Sequence, residues 1–288
     1  MKKLIALLLV AVMLLSLAAC GSGSKSDKDD DSKGSKKVTF TELSVADNDE
    51  CMIKVTGLKS VKPFGYSVEV QLENKSADKE YTFTTDGSSI DGIECYAYFS
   101  STVPAGKKSK ETIEFSLNDL EENGIKDVTD IKLTFRVYDS EDWSAEDVVY
   151  ESVHIYPYGE ENAKKYERTA KKTDKVILDN DYAKVVVTGY EHDDVWGYSV
   201  NLYIINKSGK DIMFAAEDTS VNGYMVNPFF SNSVSAGNCE FTSMSWLDST
   251  LEENGIDDVE EIEFTLRAYD MNDWFAGDLA NENIILNP

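Results

Sequence analysis

The sequence predicts an all-β protein that contains two copies of one antiparallel sandwich, and two observations support this. Apolar and polar residues alternate in runs such as "YSVEVQL" (66–72), which is typical of strands with one buried face. Several motifs, among them "GYSV", "NKS" and "LEENGI", recur at a spacing of 131 or 132 residues. A repeat of that length is the size of a whole domain, so the chain is a tandem duplication.

The strand pattern also indicates the kind of sandwich and its bounds. Each copy shows roughly seven or eight short alternating runs separated by Asn, Asp and Gly turns, as in immunoglobulin-like (Ig-like) sandwiches. We expect module 1 over residues 38–158 and module 2 over residues 173–288. The segment between them, 159–172, is rich in helix formers and carries opposite charges four residues apart, which is compatible with a short helical linker.

The N-terminus carries an export signal followed by a tether. Residues 1–19 combine two lysines, an apolar run too short to span a membrane comfortably, and small residues before Cys20. The "LAAC" ending resembles the lipobox of bacterial lipoproteins, in which the signal is cut before a cysteine that is then lipidated. Residues 21–37 contain no apolar side chain and predict a flexible tether. We therefore expect an extracytoplasmic protein, anchored through Cys20 to the outer face of a bacterial membrane.

Charge and cysteine content narrow the classes of partner. The formal net charge is −25 at pH 7, which repels nucleic acid and anionic membranes. The three cysteines besides Cys20 are an odd number, so they do not form a disulfide scaffold. A Cys51–Cys95 bridge is allowed in this compartment. Module 2 has Ala183 and Val226 at these positions, which favours free thiols packed in the core.

The repeated "LEENGI" (120–125 and 251–256) follows a predicted strand in both copies. Gly124 and Gly255 suit the left-handed residue that ends a helix, and the flanking Leu and Ile stand where a Schellman motif places its apolar contact. We interpret the motif as a short helix and its stop, a folding device and not a catalytic motif.

Motifs for catalysis are weak in this sequence. The two histidines, His154 and His192, do not align between the copies, and the sequence has no HExxH, CxxC or glycine-rich phosphate loop. We therefore predict a non-enzymatic protein without a cofactor. The best enzymatic alternative is a cleft lined by His192 with Asp193 and Asp194.

The candidate binding sites are the loops that follow the "YD" strand of each copy. Their residues are Asp139, Asp142 and Trp143 in module 1 and Asp270, Asp273 and Trp274 in module 2. Clustered carboxylates could hold calcium, and an exposed tryptophan could stack on a sugar or anchor a protein. The alternative is that the aspartates cap turns and the tryptophans close the end of the sandwich core.

Both modules also carry a family resemblance. The segments "GYSVEVQLENKS" and "GYSVNLYIINKS", with "VPAGKKSKETIEFSL" and "VSAGNCEFTSMSWL", resemble tandem Ig-like lipoproteins of Gram-positive bacteria that contain domains of unknown function. The resemblance implies a surface-held sandwich and supplies no catalytic residues. The expected function is binding of a protein or cell-wall polymer, with small-ligand or calcium binding as the alternative. The sequence leaves the partner and the oligomeric state open.

Overall fold

A computed structural model describes residues 38–61, 65–115, 125, 128–273 and 275–288, and it confirms the all-β, Ig-like sandwich fold. Residues 1–37, for which the sequence predicts an export signal and a tether, lie outside the described residues, as do residues 62–64, 116–124, 126–127 and Trp274. Within the described part of the chain, no helix is long and apolar enough to cross a membrane.

Module 1 is a sandwich of two sheets. Its strands are β1 (Leu43–Asp47), β2 (Cys51–Val61), β3 (Gly65–Asn74), β4 (Tyr81–Ile90), β5 (Ile93–Glu94), β6 (Ala97–Tyr98), β7 (Ser100–Val103), β8 (Lys108–Phe115), β9 (Ile131–Asp139) and β10 (Val149–Ile155). One sheet has the order β1-β2-β3-β8-β6, and the other contains β10-β9-β4 with β5 and β7 paired to β4. Strand β9 alternates buried and half-buried residues as predicted, because only one of its faces meets the core.

Module 2 repeats this arrangement. Its strands are β11 (Lys175–Asp179), β12 (Ala183–Asp193), β13 (Gly197–Asn206), β14 (Ile212–Val221), β15 (Tyr224–Met225), β16 (Ser231–Val234), β17 (Cys239–Trp246), β18 (Ile262–Asp270) and β19 (Asp278–Leu286). One sheet has the order β17-β13-β12-β11, and the other has β15-β14-β18-β19 with β16 on β14. Trp246 lies in the core between the two sheets.

The two modules share a sheet, which the sequence analysis did not anticipate. Strand β5 pairs in parallel with the start of β17, where Ile93 lies opposite Cys239. The Cys239 amide donates a hydrogen bond to the Gly92 carbonyl oxygen at 2.9 Å. The result is one nine-stranded sheet that runs from β10 of module 1 to β11 of module 2.

The prediction of a helical linker over 159–172 is wrong for most of that segment. A 3-10 turn spans Glu160–Asn162, and the remainder has no regular helix. The Tyr166 amide donates to the Asp91 carbonyl at 2.8 Å, and the Lys164 amide donates to Thr129 Oγ1 at 2.9 Å. These bonds to module 1 replace the internal bonds of a helix, which is marginal at this length without packing.

The second "LEENGI" folds as predicted. Helix α1 spans Asp248–Glu253, and Gly255 has a left-handed φ of 72°. The Ile256 amide bonds the Leu251 carbonyl at 3.0 Å, and the Gly255 amide bonds that of Glu252 at 2.9 Å, which is the Schellman pattern. Leu251 and Ile256 are both buried in the core of module 2. The motif therefore serves folding in module 2, whereas residues 120–124 of its first copy lie outside the described residues.

The repeated "NKS" is also a folding device. The Asn74 side-chain amide donates to the Val103 carbonyl at 2.8 Å, and Asn206 donates to the Val234 carbonyl at the same distance. Both asparagines are buried, so each ties two loops together at one end of its sandwich.

The prediction of free thiols is confirmed for the described cysteines. Cys51, Cys95 and Cys239 form no disulfide. Burial raises the pKa of Cys51 to about 11 and the pKa of Cys95 to about 12. These thiols therefore remain protonated at neutral pH and act as core residues.

Candidate functional site

In the first Asp/Trp loop, the aspartates cap turns. Asp139 accepts a hydrogen bond from the Glu141 amide at 3.0 Å and forms an ion pair with Lys79 at 3.1 Å. These two interactions hold the pKa of Asp139 below its usual range. Asp142 accepts both the amide and the hydroxyl of Ser144, at 3.2 and 2.7 Å. Both carboxylates therefore accept hydrogen bonds from groups of the same chain.

The second loop repeats this arrangement. Asp270 is buried, pairs with Lys210 at 2.7 Å and accepts the Asn272 amide at 2.9 Å, and its pKa is lowered in consequence. Asp273 accepts the Phe275 amide at 3.1 Å. Among the described residues, no group of three or more His, Cys, Asp or Glu is placed to hold a metal ion. Turn capping explains these aspartates, and calcium binding stays a prediction.

The tryptophan of the first loop does not close the core, so that part of the alternative interpretation is wrong. Trp143 is 77% exposed, and its neighbours Asp142 and Ser144 hold the turn that directs it outward. In module 2, Trp274 lies outside the described residues, whereas the next residue, Phe275, is exposed. Both loops therefore present an aromatic ring to solvent near their tips.

The histidine site considered for an enzyme is arranged differently from the expectation. His192 Nε2 lies 2.9 Å from Asp248 Oδ1, and both side chains are exposed. Asp193 instead accepts the amides of Val195 and Trp196, at 2.8 and 3.0 Å. Asp193 thus supports a hairpin turn, and the cleft beside His192 is lined by α1 and not by Asp193 or Asp194.

A second cleft, which the sequence analysis missed, lies where the two modules meet. It has a volume of 650 Å³ and is lined by β4, β5 and β6 of module 1 and by β16 and β17 of module 2. Tyr96 and Tyr98 stand on its module 1 side, 74% and 81% exposed. Their rings are 6.0 Å apart and nearly parallel, because alternate residues of an extended chain share one face.

Carboxylates line the other part of this cleft. Asn232 donates to Glu240 Oε1 at 2.9 Å, whereas Glu240 Oε2 is buried and accepts no hydrogen bond from any described residue. Loss of hydration raises the pKa of Glu240 to about 7. Glu94 accepts the Ser235 amide at 2.8 Å and the Asn238 side chain at 3.0 Å. No lysine, arginine or histidine is among the lining residues, so the cleft favours neutral or cationic groups.

An apolar contact joins the two modules beside this cleft. On the outer face of module 2, Tyr203 is buried and its ring lies 4.8 Å from that of Phe241, which also contacts Tyr166 of the linker. Arg168 lies over Tyr203 and forms two hydrogen bonds to Asp174, at 2.6 and 2.9 Å. This contact belongs to the same apolar cluster as the module 1 core.

The sequence did contain a signal for this contact. In module 2, "VVV" (185–187) and "LYII" (202–205) are continuous apolar runs, which is typical of strands buried on both faces. The outer positions Val186, Tyr203 and Phe241 correspond to Lys54, Gln71 and Lys110 of module 1. Position-by-position comparison of the two copies would therefore have identified the buried face.

No protein-family model matches the chain, and no curated protein sequence does. Among solved structures, the YadV chaperone is 12% identical with a TM-score of 0.23, over 76% of this chain and 92% of that one. The CsuC-CsuE chaperone–tip adhesion subunit complex of Acinetobacter baumannii is 11% identical with a TM-score of 0.22, over 76% and 90%. Red sea bream transglutaminase is 13% identical with a TM-score of 0.23, over 80% of this chain and 30% of that one. These similarities carry no functional argument, and the class that the fold defines is a two-module Ig-like β-sandwich protein.

Proposed function

We propose that this chain is a lipid-anchored, extracytoplasmic binding protein without catalytic activity, whose two acidic Ig-like modules act as one rigid unit. The lipobox-like "LAAC" and the apolar-free tether support an anchor at Cys20 on the outer face of the membrane. The acidic modules repel the negative cell surface, so the tether holds them away from it. The partner is a protein or a cell-wall polymer.

The observation that carries the binding role is the cleft between the modules. Ligand sites occur preferentially at domain interfaces, and tyrosine is enriched where proteins contact partners. Tyr96 and Tyr98 offer two parallel exposed rings beside carboxylates and hydroxyls. Such a surface can stack on a sugar ring or on a peptide side chain. Because the shared sheet joins the modules, the cleft exists before the ligand arrives, which lowers the entropic cost of binding.

A binding role fits this cleft better than an enzymatic one. Glu240 has a raised pKa, as a general acid would. Its hydrogen-bond partner is Asn232, an amide that neither accepts nor releases a proton in the physiological range. Glu94 is held by an amide of the backbone and by Asn238. The bonds of Glu94 join module 1 to module 2, whereas the bond of Glu240 lies within module 2. Neither carboxylate is paired with a group that could exchange a proton with it.

In-cell crosslinking of the full-length lipoprotein tests the proposal. A photoreactive amino acid at Tyr98 should give one dominant adduct with a protein or wall polymer, and the Tyr96→Ala variant should weaken it. The same group at Tyr182, an exposed tyrosine away from the cleft, is the matched control and should give none. Equal labelling at both positions, or none at Tyr98, would contradict the cleft as the binding site. Release of the Cys20→Ala variant into the medium tests the anchor separately.

A further inference from the structure

The hairpin β14–β15 of module 2 is the repeat equivalent of the hairpin β4–β5 that joins the two modules. Ile90 pairs with Ile93 in the first hairpin, and Val221 pairs with Tyr224 in the second. Both turn through a residue at φ near 50°, Asp91 or Asn222, followed by glycine. The two hairpins therefore present their short strands with the same geometry.

The first hairpin is covered by an edge strand. Ile93 is 1% exposed and lies opposite Cys239 at the start of β17, and the Gly92 carbonyl accepts the Cys239 amide. Glu94 is bound by the Ser235 amide from the loop that precedes β17. The internal interface thus shows what this hairpin binds, namely the first residues of an edge strand and the loop before it.

The second hairpin has the same form without a cover. Tyr224 is 55% exposed and Met225 is 67% exposed. Among the described residues, no backbone amide donates to the Gly223 carbonyl, which corresponds to Gly92. The exposed Phe229, in the position of Tyr98, adds a third apolar side chain on the same segment. Adjacent exposed apolar residues at a sheet edge indicate an interaction site.

We propose that the Tyr224–Met225 hairpin docks the edge strand of an Ig-like module that belongs to another protein. The partner adds the N-terminal end of a strand in parallel beside β15, and one of its amides donates to the Gly223 carbonyl. An apolar residue of the partner lies beside Tyr224, as Cys239 lies opposite Ile93 in the internal interface. The addition of a strand to a sheet edge is a recurrent mode of protein recognition.

A second chain of this protein does not fit as the occupant. In each chain, β17 of module 2 already pairs with β5 of the same chain. In module 1, the position of Ser235 is Pro104, which has no amide hydrogen to donate. The position of Phe241 is Lys110, a polar residue on a face that would have to be buried. Neither β17 nor the equivalent strand β8 of a second chain therefore fits, and we assign the edge strand to a different protein.

The test places a photoreactive amino acid at Met225 of the full-length lipoprotein in its native cells, followed by mapping of the crosslinked peptide. The expected adduct joins a different protein, and the linked peptide is the beginning of an edge strand in an Ig-like sandwich. Tyr224→Asp should lower its yield about tenfold, since removal of a central aromatic residue commonly costs that much or more in affinity. The same group at Ile285, an exposed apolar residue of β19, should give no such adduct.

Several outcomes would overturn the proposal. These are an adduct with a second chain of this protein, a linked peptide from another kind of structure, a polymer adduct, or no adduct. Sedimentation of the purified chain gives an independent check, because a monomer is expected and a dimer that Tyr224→Asp dissociates would overturn the assignment.

Discussion

Replacement of Tyr203 by alanine tests whether the modules are held together by the apolar contact on the outer face of module 2. Tyr203 is 5% exposed, its ring lies 4.8 Å from Phe241, and Arg168 lies over it. An outward-facing residue of an isolated sandwich would be solvated, and its replacement would have little effect on stability. In this protein the side chain is buried only because the linker and module 1 cover it.

The expected cost follows from the burial. Replacement of a buried aromatic residue by alanine destabilises a protein by about 3–5 kcal/mol. Because Tyr203 lies at an inter-module surface that can partly close, we expect the lower end, about 3 kcal/mol. A urea dependence of about 1–3 kcal/mol per M converts this loss into a midpoint shift of roughly 1–3 M.

Urea unfolding followed by tryptophan fluorescence provides the assay. Trp246 is buried in the core of module 2 and reports its unfolding. The matched control is Gln71→Ala, which changes the equivalent position of module 1, where the side chain is half-buried. The control should change the free energy of unfolding by less than about 0.5 kcal/mol. If Tyr203→Ala costs no more than Gln71→Ala, the inter-module contact does not exist as described.

Three further predictions concern single residues and can share one series of melting curves. The raised pKa of Glu240 contributes stability that is present below about pH 4.3 and is lost as the pH rises to about 7. The melting temperature should therefore fall over that window, and Glu240→Gln should remove the fall. An unchanged fall in the variant would contradict this prediction. Hydrogen bonds from Arg168 lower the pKa of Asp174 to about 2, so stability present above about pH 3.9 should be lost toward pH 2. Asp174→Asn should reduce this acid-induced fall in melting temperature. Gly255→Ala should cost about 1 kcal/mol because φ is 72° there, and a neutral result would argue against the Schellman stop.

The elements predicted best were those whose cause is local. Period-two alternation in β9 predicts one buried face, and that requires only the neighbours along the strand. Gly255 and the apolar pair around it fix the end of α1 within six residues. The turn-capping alternative for Asp139 and Asp270 was available for the same reason, since an Asx turn is formed with an amide two residues away.

The remaining features depend on contacts between distant residues. The pairing of Ile93 with Cys239 joins positions in different modules, and no local pattern around either residue specifies the other. The linker does not form the expected helix because Asp91 and Thr129 accept hydrogen bonds from its backbone amides. Trp143 faces solvent because its turn directs it there, and residue type alone could not distinguish that orientation from a core position.

The most informative signal that the sequence analysis did not use was the set of positions at which the two copies differ in polarity. Where the copies agree, as in "NKS", the shared asparagine serves the fold. Where a polar residue of module 1 becomes apolar in module 2, as from Gln71 to Tyr203, the change marks a surface that only module 2 buries. In a tandem repeat, such differences can be read as interface positions.

The central claim is that the two sandwiches form one rigid unit through a shared sheet and therefore hold the Tyr96–Tyr98 cleft in a fixed shape. Residual dipolar couplings of the backbone amides in residues 38–288 measure the relative orientation of the modules directly. The account predicts that a single alignment tensor fits the amides of both modules, including that of Cys239. Two tensors of different magnitude or orientation would show that the modules move independently, and would contradict the claim.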